Sequence, residues 1–520
     1  METNNPWTRA AAATSLTLSG VLLLTACQIP TPQGTGGETT STEKLTVGVP
    51  NDVTGRELDP ALTAGGTAIP LLYSLYDTLF KFDPSGKPMP NLLSESTASD
   101  GGKVRVLTLK EGLTFQDGSV LDATDVKFSL DRARGKDATL EGPTATSSLS
   151  SIEDITVTDP RTVTLTLKFD DAVLDNTLAY LPGMILPSDY LEKVGNNEFL
   201  KAPIGSGPYA FESAKSGQEI NLKAFENFQG TSKPQYKSVQ LKVLSEAATR
   251  VAQLRAGGVD FAVDMDTTQI QSLESAGLKV QKNPSGQFLS IIFNSKSTAL
   301  ADPRVRQALN LATDRKGIVE TLFHGNAAQT GSLDPTSGES VKPMEQDAAK
   351  ARALLQEAGW DSTKELTLDF PSGRYPQDAQ MMQSVQADLD AVGVKVKLRP
   401  MDSSDWLNGL RNKTLDDMSL TLNANINYDP YLSLTGNTTC KGSFSLWCDP
   451  PLDAKFAEVQ PLSGEARKAK FVEISEQFQE SPPALFLIDP YQMHAMAKTV
   501  QWNPTTGIRN YSYADIVPAS

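Results

Sequence analysis

Hydrophobic and polar positions alternate with a period of two at several separate places along the chain. Leu45, Val47 and Val49 form one such run; in another, Val104, Val106 and Thr108 alternate with Arg105, Leu107 and Leu109. That period predicts strands with one buried face. After the second run, Lys110-Glu111-Gly112 breaks the strand and Leu113 and Phe115 make a short apolar pair. Asp117-Gly118 predicts a tight turn, because glycine takes the positive φ such turns need. Asp122 predicts a helix cap through its carboxylate, and Val126, Leu130 and Ala133 give the helix its apolar face. Strand, turn and capped helix thus fill Leu109 to Ala133.

The same pattern marks the rest of the chain. Leu72, Tyr73, Tyr76 and Leu79 predict a helical face over Ile69 to Phe80. Ile155 and Val157 face Val163, Leu165 and Leu167 across Asp159-Pro160-Arg161, a hairpin signal within a small strand-rich stretch over 134–200. Three α/β alternations follow. The first joins a strand at Val239, Leu241 and Val243, a helix capped by Ser245, and a strand at Val259, Phe261 and Val263. The second joins the apolar run Leu289 to Phe293 to one long helix from Asp302-Pro303 to near Gly325. The third has strands at Leu366, Leu368 and Phe370 and at Val394, Val396 and Leu398. Met382, Val385, Leu389 and Val392 form the helix between them. Repeated βαβ units imply mostly parallel sheets covered on both faces. Phe471, Ile474 and Phe478 mark a helix stopped by Pro482-Pro483, and Ala484 to Ile488 is an apolar strand.

The first residues follow a different logic. Leu16 to Ala26 is mostly apolar but too short for a spanning helix, for which about 20 apolar residues are expected. It ends in Leu24-Thr25-Ala26-Cys27, which resembles a bacterial lipobox. The expectation is a signal peptide over 1–26, a diacylglyceryl group on Cys27, and a flexible Thr/Gly/Pro/Ser-rich tether over 27–43. The chain has 520 residues, enough for more than one domain, and a net charge of −15, which repels phosphate backbones and weighs against nucleic acid as a partner. Export makes the two remaining cysteines, Cys440 and Cys448, an expected disulfide. With only His324 and His494 in the chain, neither near a cysteine, no metal site is expected, nor any other cofactor.

Several blocks resemble one family. Leu109, Lys110, Gly112, Phe115, Asp117, Gly118, Ala123, Asp125 and Val126 match the signature of the family 5 solute-binding proteins, the peptide/nickel-type receptors of ABC importers. The Gly205-Ser206-Gly207-Pro208-Tyr209 turn and the Phe293-Asn294 to Asp302-Pro303-Arg304-Val305-Arg306-Gln307-Ala308-Leu309 block resemble two more of its landmarks. The resemblance implies an α/β, two-lobed periplasmic-binding-protein type II fold, with an extra subdomain in the first lobe. The implied layout is a first lobe over 44–290, with the subdomain at about 85–200, completed by 485–520. A second lobe covers 291–484, and the chain crosses between lobes near Leu289–Asn294 and Ala484–Ile488. It implies a monomer outside the cytoplasm, anchored to the cell membrane through Cys27. There it would capture an oligopeptide or other polar solute and deliver it to ABC permease subunits, without being an enzyme.

The resemblance also indicates where ligand chemistry belongs. In dipeptide binders of the family an aspartate three residues before an Asp-Pro step receives the peptide ammonium. Here Asp429-Pro430 is present but that position is Ile426, flanked by the neutral Asn425 and Asn427. Asp429 is either a substitute acceptor or the cap of the turn before Pro430. Arg374 sits close to an arginine that dipeptide binders use, and is either a carboxylate clamp or a solvated loop residue. Tyr375 and Tyr428 join these as candidate cleft residues; Trp406, Tyr431 and Trp447 are aromatics that serve either packing or the cleft. No HExxH and no G-x-S-x-G is present, which weighs against an extracytoplasmic hydrolase. A surface sensing receptor with the same fold is the remaining alternative.

Overall fold

The computed structural model of the protein describes residues 42–63, 66–137, 140, 149–334, 341–425, 427–502 and 510–519. The expectations for the signal peptide, for Cys27 and for Ile426 lie outside these residues, as does the tether up to residue 41.

The alternating runs assemble into a sheet of 12 strands. From one edge its order is Lys395–Met401, Glu365–Pro371, Met418–Ala424, Gln287–Phe293 and then Ala484–Met496. It continues through Phe261–Ala262, Lys44–Val49, Ser238–Val243, Glu219–Ala224 and Tyr209–Lys215. Pairing is parallel at the first and third expected α/β alternations, between Lys44–Val49 and both Ser238–Val243 and Phe261–Ala262, and between Glu365–Pro371 and both Lys395–Met401 and Met418–Ala424, whereas the strand of the second, Gln287–Phe293, is antiparallel to both neighbours. The rest of this sheet is antiparallel, which corrects the expectation of mostly parallel sheets. Hairpins such as Tyr209–Lys215 with Glu219–Ala224 need no crossover helix, and Ala484–Met496 runs against the strands beside it.

Ala484–Met496 organises the two halves. Leu485 to Ile488 are fully buried in the core that also holds Ile291, Phe293, Leu309, Leu368 and Leu420. Met496 is buried in another, with Val47, Leu241, Phe261 and Tyr513. One strand therefore leaves one core and enters another, and its partner changes on the way. Tyr491 pairs with Pro284, whereas Ile488 pairs with Leu289. The crossing lies at Pro284–Leu289 and Ile488–Tyr491, a few residues from the expected positions at Leu289–Asn294 and Ala484–Ile488. The apolar runs reveal the strands but not where they exchange partners.

A separate four-stranded antiparallel sheet, in the order Leu93–Ser99, Val104–Leu109, Thr162–Leu167 and Ile152–Asp159, carries its own core. The helix Ala123–Ala133 closes it, burying Val126 and Leu130, each contributing about 1.5–3 kcal/mol. Its start is built as the sequence implies. Asp122 Oδ1 accepts from Thr124 N at 2.7 Å and Asp125 Oδ2 accepts from Asp122 N at 3.0 Å, a reciprocal cap. Gly118 has φ +88°, and Asp117 Oδ1 accepts from Ser119 N at 3.0 Å. Asp125 also takes Ser188 N and Oγ, at 2.8 and 2.7 Å, which ties in the helix Ser188–Val194.

Other element boundaries shift. The helix expected over Ile69 to Phe80 is Ile69–Leu75; Tyr76 turns extended, and Phe80–Phe82 is a strand. The helix expected from Pro303 to near Gly325 is two helices, Pro303–Ala312 and Arg315–Leu322. Asp314 interrupts it because its carboxylate accepts from Gly317 N at 2.8 Å and starts a new helix. The helix Ala247–Arg255 has Glu246, not Ser245, at its cap position, without a side-chain bond. Cys440 and Cys448 form the expected disulfide, with Cα atoms 4.1 Å apart. Among the described residues no helix is long and apolar enough to cross a membrane.

Candidate functional site

A cavity of about 840 Å³ lies against the crossing, within the about 300–1,000 Å³ of small-ligand sites. Four segments that line it share one origin: each follows the carboxyl end of a strand in a parallel pair. Asn51 follows Lys44–Val49, and Asp264 to Thr267 follow Phe261–Ala262. Arg374 to Gln377 follow Glu365–Pro371, and Trp406 follows Lys395–Met401. Open α/β sheets bind ligands there because loops and helix starts converge at strand carboxyl ends.

The Arg374 wall is rigidly supported. Asp378, buried at the start of the helix Asp378–Asp390, accepts from the backbone N–H of Arg374 and Tyr375 at 3.0 and 3.2 Å. Gln377 at φ +56° makes the turn into that helix. The Arg374 guanidinium lies 5.5 Å from the centre of the Trp406 ring and 5.8 Å from that of Tyr375, and those two rings meet edge to face at 6.2 Å. Trp406 is fixed in turn by its Nε1, which donates to Ser419 Oγ at 2.9 Å. Burial pushes the Tyr375 phenol up, with Arg374 opposing the shift. Among the described residues Arg374 enters no ion pair.

The facing wall is built around Arg250. Its guanidinium donates to the carbonyl oxygens of Leu244, Ser245, Val263 and Asp264 at 2.6–3.0 Å, and burial lowers its pKa. These bonds hold the corner in which Asp264 takes φ +53°, an uncommon conformation for a residue with a Cβ. Asp264 Oδ1 accepts from Gln492 Nε2 at 3.3 Å. Two residues on, Asp266 Oδ1 accepts from Thr268 N and Oγ1, both at 2.9 Å.

The floor is the crossing itself. Asp489 Oδ1 accepts from Ser285 Oγ at 2.7 Å and Ser285 N at 3.1 Å, so one buried carboxylate joins the two crossing segments. Burial raises its pKa to about 6 against the hydrogen bonds from Ser285, Gly286 and Gln287.

The structure separates the sequence-predicted candidates into two groups. Arg374 and Tyr375 line the cavity. Asn425, Asn427, Tyr428 and Asp429 do not belong to its lining and are buried or half-buried elsewhere. Asn427 O accepts from Asn176 Nδ2 at 2.8 Å, and the Tyr428 ring meets Phe82 edge to face at 4.5 Å. Asp429 is the helix cap for Pro430–Thr438, accepting from Tyr431 N at 2.9 Å, and its carboxylate is held by Arg467 at 2.7 and 2.8 Å. This segment therefore contacts the helix Leu174–Leu178 and the strand Phe80–Phe82. Sequence reasoning missed Asn51, Asp264, Asp266 and Gln492 as cavity residues. The signal that could have found the first three is their place just after strands of the alternating pattern. Among the described residues no cluster of potential metal ligands occurs.

Comparison with known proteins agrees with this geometry. The family described as "Bacterial extracellular solute-binding proteins, family 5 Middle" matches residues 87–445. The glutathione-binding protein GsiB of Salmonella paratyphi A is 32% identical over 335 residues, 64% of this chain and 64% of that protein. GsiB of Escherichia coli strain K12 is also 32% identical, with the same coverage. The chain thus matches these relatives over somewhat less than two thirds of their length. Among solved structures, the ABC transporter substrate-binding protein CtaP of Listeria monocytogenes superposes with a TM-score of 0.80 at 21% identity, covering 92% of this chain and 99% of that one. DppA of Helicobacter pylori in complex with the peptide STSA gives 0.78 at 22%, covering 92% and 98%. NikA of Brucella suis in complex with Fe(III)-EDTA gives 0.80 at 23%, covering 92% and 100%. The fold is the type II periplasmic-binding-protein fold, and the chain belongs to the bacterial extracellular solute-binding proteins of family 5.

Proposed function

We propose that this protein is the substrate-binding component of an ABC importer, held outside the cytoplasm by a lipid on Cys27. It captures a peptide or other polar solute in the cavity at the crossing and delivers it to permease subunits in the membrane. The observation that carries the reading is the Arg374 guanidinium, which enters no ion pair among the described residues and lies over the Trp406 and Tyr375 rings in a cavity at the crossing point of two cores. A planar guanidinium with no carboxylate of its own binds a ligand carboxylate with two parallel hydrogen bonds. Hinge motion at Ser285 and Asp489 would enclose the ligand and present the closed shape to the permease. The kinship with glutathione-binding proteins favours a short peptide.

Two measurements test this. Mass spectrometry of ligand released from the purified protein is expected to find a carboxylate-bearing solute of peptide type. Deletion of the gene is expected to abolish uptake of that solute. Unchanged uptake of the released solute would sink the importer role.

A further inference from the structure

Phe444 lines the cavity and is 39% exposed. Among the described residues it belongs to none of the apolar cores, neither as a buried member nor as a side chain packed against one. Its backbone, by contrast, is fixed. Phe444 N donates to the Gly436 carbonyl at 3.0 Å. Two residues earlier, Gly442 lies so close to the helix Pro430–Thr438 that an added Cβ would sit 2.5 Å from Gly436 O and 2.6 Å from Thr435 O. The Cys440–Cys448 bond closes the loop, and Cys440 N donates to Asp453 Oδ1 at 3.2 Å. On the other side of Phe444, Ser445 Oγ donates to the Trp447 carbonyl at 2.6 Å, and the Arg306 guanidinium lies 4.7 Å from the centre of the Trp447 ring.

Resting on the importer reading above, we propose that Phe444 is a specificity-determining residue of the cavity, and that the solute it selects carries a bulky apolar side chain as well as a carboxylate. An exposed ring on a fixed loop gains by being covered, and the loop has little order left to lose when that happens. The cavity sets what covers it. Leu407 and Leu422 line the cavity half-buried and pack, like Tyr375, on the core that holds Trp406. The helix against which the Phe444 loop rests adds Leu434 to that same core. The facing wall offers polar side chains instead, Asp264, Asp266 and Gln492 among them. Open apolar surface and the Arg374 guanidinium therefore share one side of the cavity, so a solute held by Arg374 lies along a wall that rewards an apolar side chain. Glutathione, the solute in the names of the GsiB relatives, has no bulky apolar side chain and is the natural control.

The test uses trialanine, the tripeptides in which one of its residues is replaced by phenylalanine, and glutathione. Each is titrated by calorimetry into the purified protein and into Phe444→Ala, whose thermal stability is expected to match the parent's because the side chain belongs to no core. At least one phenylalanine peptide is expected to bind the parent about tenfold or more tightly than trialanine or glutathione, the scale on which burial of one apolar side chain acts. Phe444→Ala is expected to erase most of that preference and to leave the affinity for trialanine unchanged. A parent that prefers no phenylalanine peptide, or a variant that keeps the preference, overturns the assignment of Phe444 while leaving a peptide-binding cleft intact. A variant weakened equally toward every peptide also overturns it, because Phe444 would then support the cavity without selecting its solute. Binding of no probe overturns both the assignment and the peptide reading beneath it.

Discussion

Asp429 and Arg467 form a two-pronged ion pair, Oδ2 to Nε at 2.7 Å and Oδ1 to Nη2 at 2.8 Å, with both side chains about a tenth exposed or less. Arg467 also donates to the Val459 carbonyl, so the pair joins the start of the helix Pro430–Thr438 to the end of Pro450–Val459. Removing one partner leaves a buried charge uncompensated. Arg467→Ala is expected to lower stability by about 3–5 kcal/mol in urea unfolding, whereas Asp429→Asn with Arg467→Met together cost less than that single change. An Arg467→Ala variant as stable as the parent would show that Asp429 is solvated and available to a ligand.

The Tyr428 ring lies on Phe82 and directly over Gly86, where an added Cβ would sit 2.8 Å from Tyr428 Cδ1. Gly86 also has φ +83°, so alanine there is strained by backbone and neighbour alike. Gly86→Ala is expected to displace Tyr428 and loosen the second lobe from the subdomain. Small-angle scattering of the ligand-free protein should then give a larger radius of gyration for Gly86→Ala and Tyr428→Ala than for the parent. Identical radii would remove this contact from closure.

The hinge carboxylate predicts a pH dependence. Burial raises Asp489 to about 6, above the roughly 3.9 of an unfolded chain, so between these values the folded state binds more protons. The contribution is fully present below about pH 4 and is lost as pH rises through about 6, amounting to roughly 2–3 kcal/mol. Asp489→Asn keeps an acceptor for Ser285 and removes the titration. The gain in parent stability on acidification from pH 6.5 to pH 4.5, relative to this variant, is the expected signature; parallel pH curves would contradict the account of Asp489.

The Cys440–Cys448 bond closes a short loop that brings Phe444 to the cavity. Its loss, in a Cys440→Ser/Cys448→Ser variant, is expected to cost about 2–3 kcal/mol by the chain-entropy argument. Denaturant midpoints with unchanged slopes would measure this directly.

Much of the fold was legible in the chain because period-two runs and capping residues act locally. The turn and reciprocal cap at Asp117, Gly118, Asp122 and Asp125 follow from residue types within one short stretch. The partner exchange along Ala484–Met496 did not, because an apolar run is the same whichever core receives it. For the site, Arg374 was a candidate through the resemblance to dipeptide binders, whose arginine precedes the same helix, and Tyr375 as one of several aromatics; both line the cavity. Asp429 was ambiguous because its partner Arg467 lies 38 residues away and nothing local reveals it. Asp264 and Asp266 were hidden for a similar reason: their role depends on which strand ends the sheet brings together.

The central claim is that Arg374 is the carboxylate anchor of a solute-binding cleft. It is tested most directly by calorimetry of the co-purifying solute, stripped from the protein and returned to the parent and to Arg374→Ala. The account predicts affinity at least about tenfold weaker in the variant, with unchanged thermal stability, because Arg374 pairs with no carboxylate of the described residues. Equal affinity would contradict it and take Arg374 out of the site.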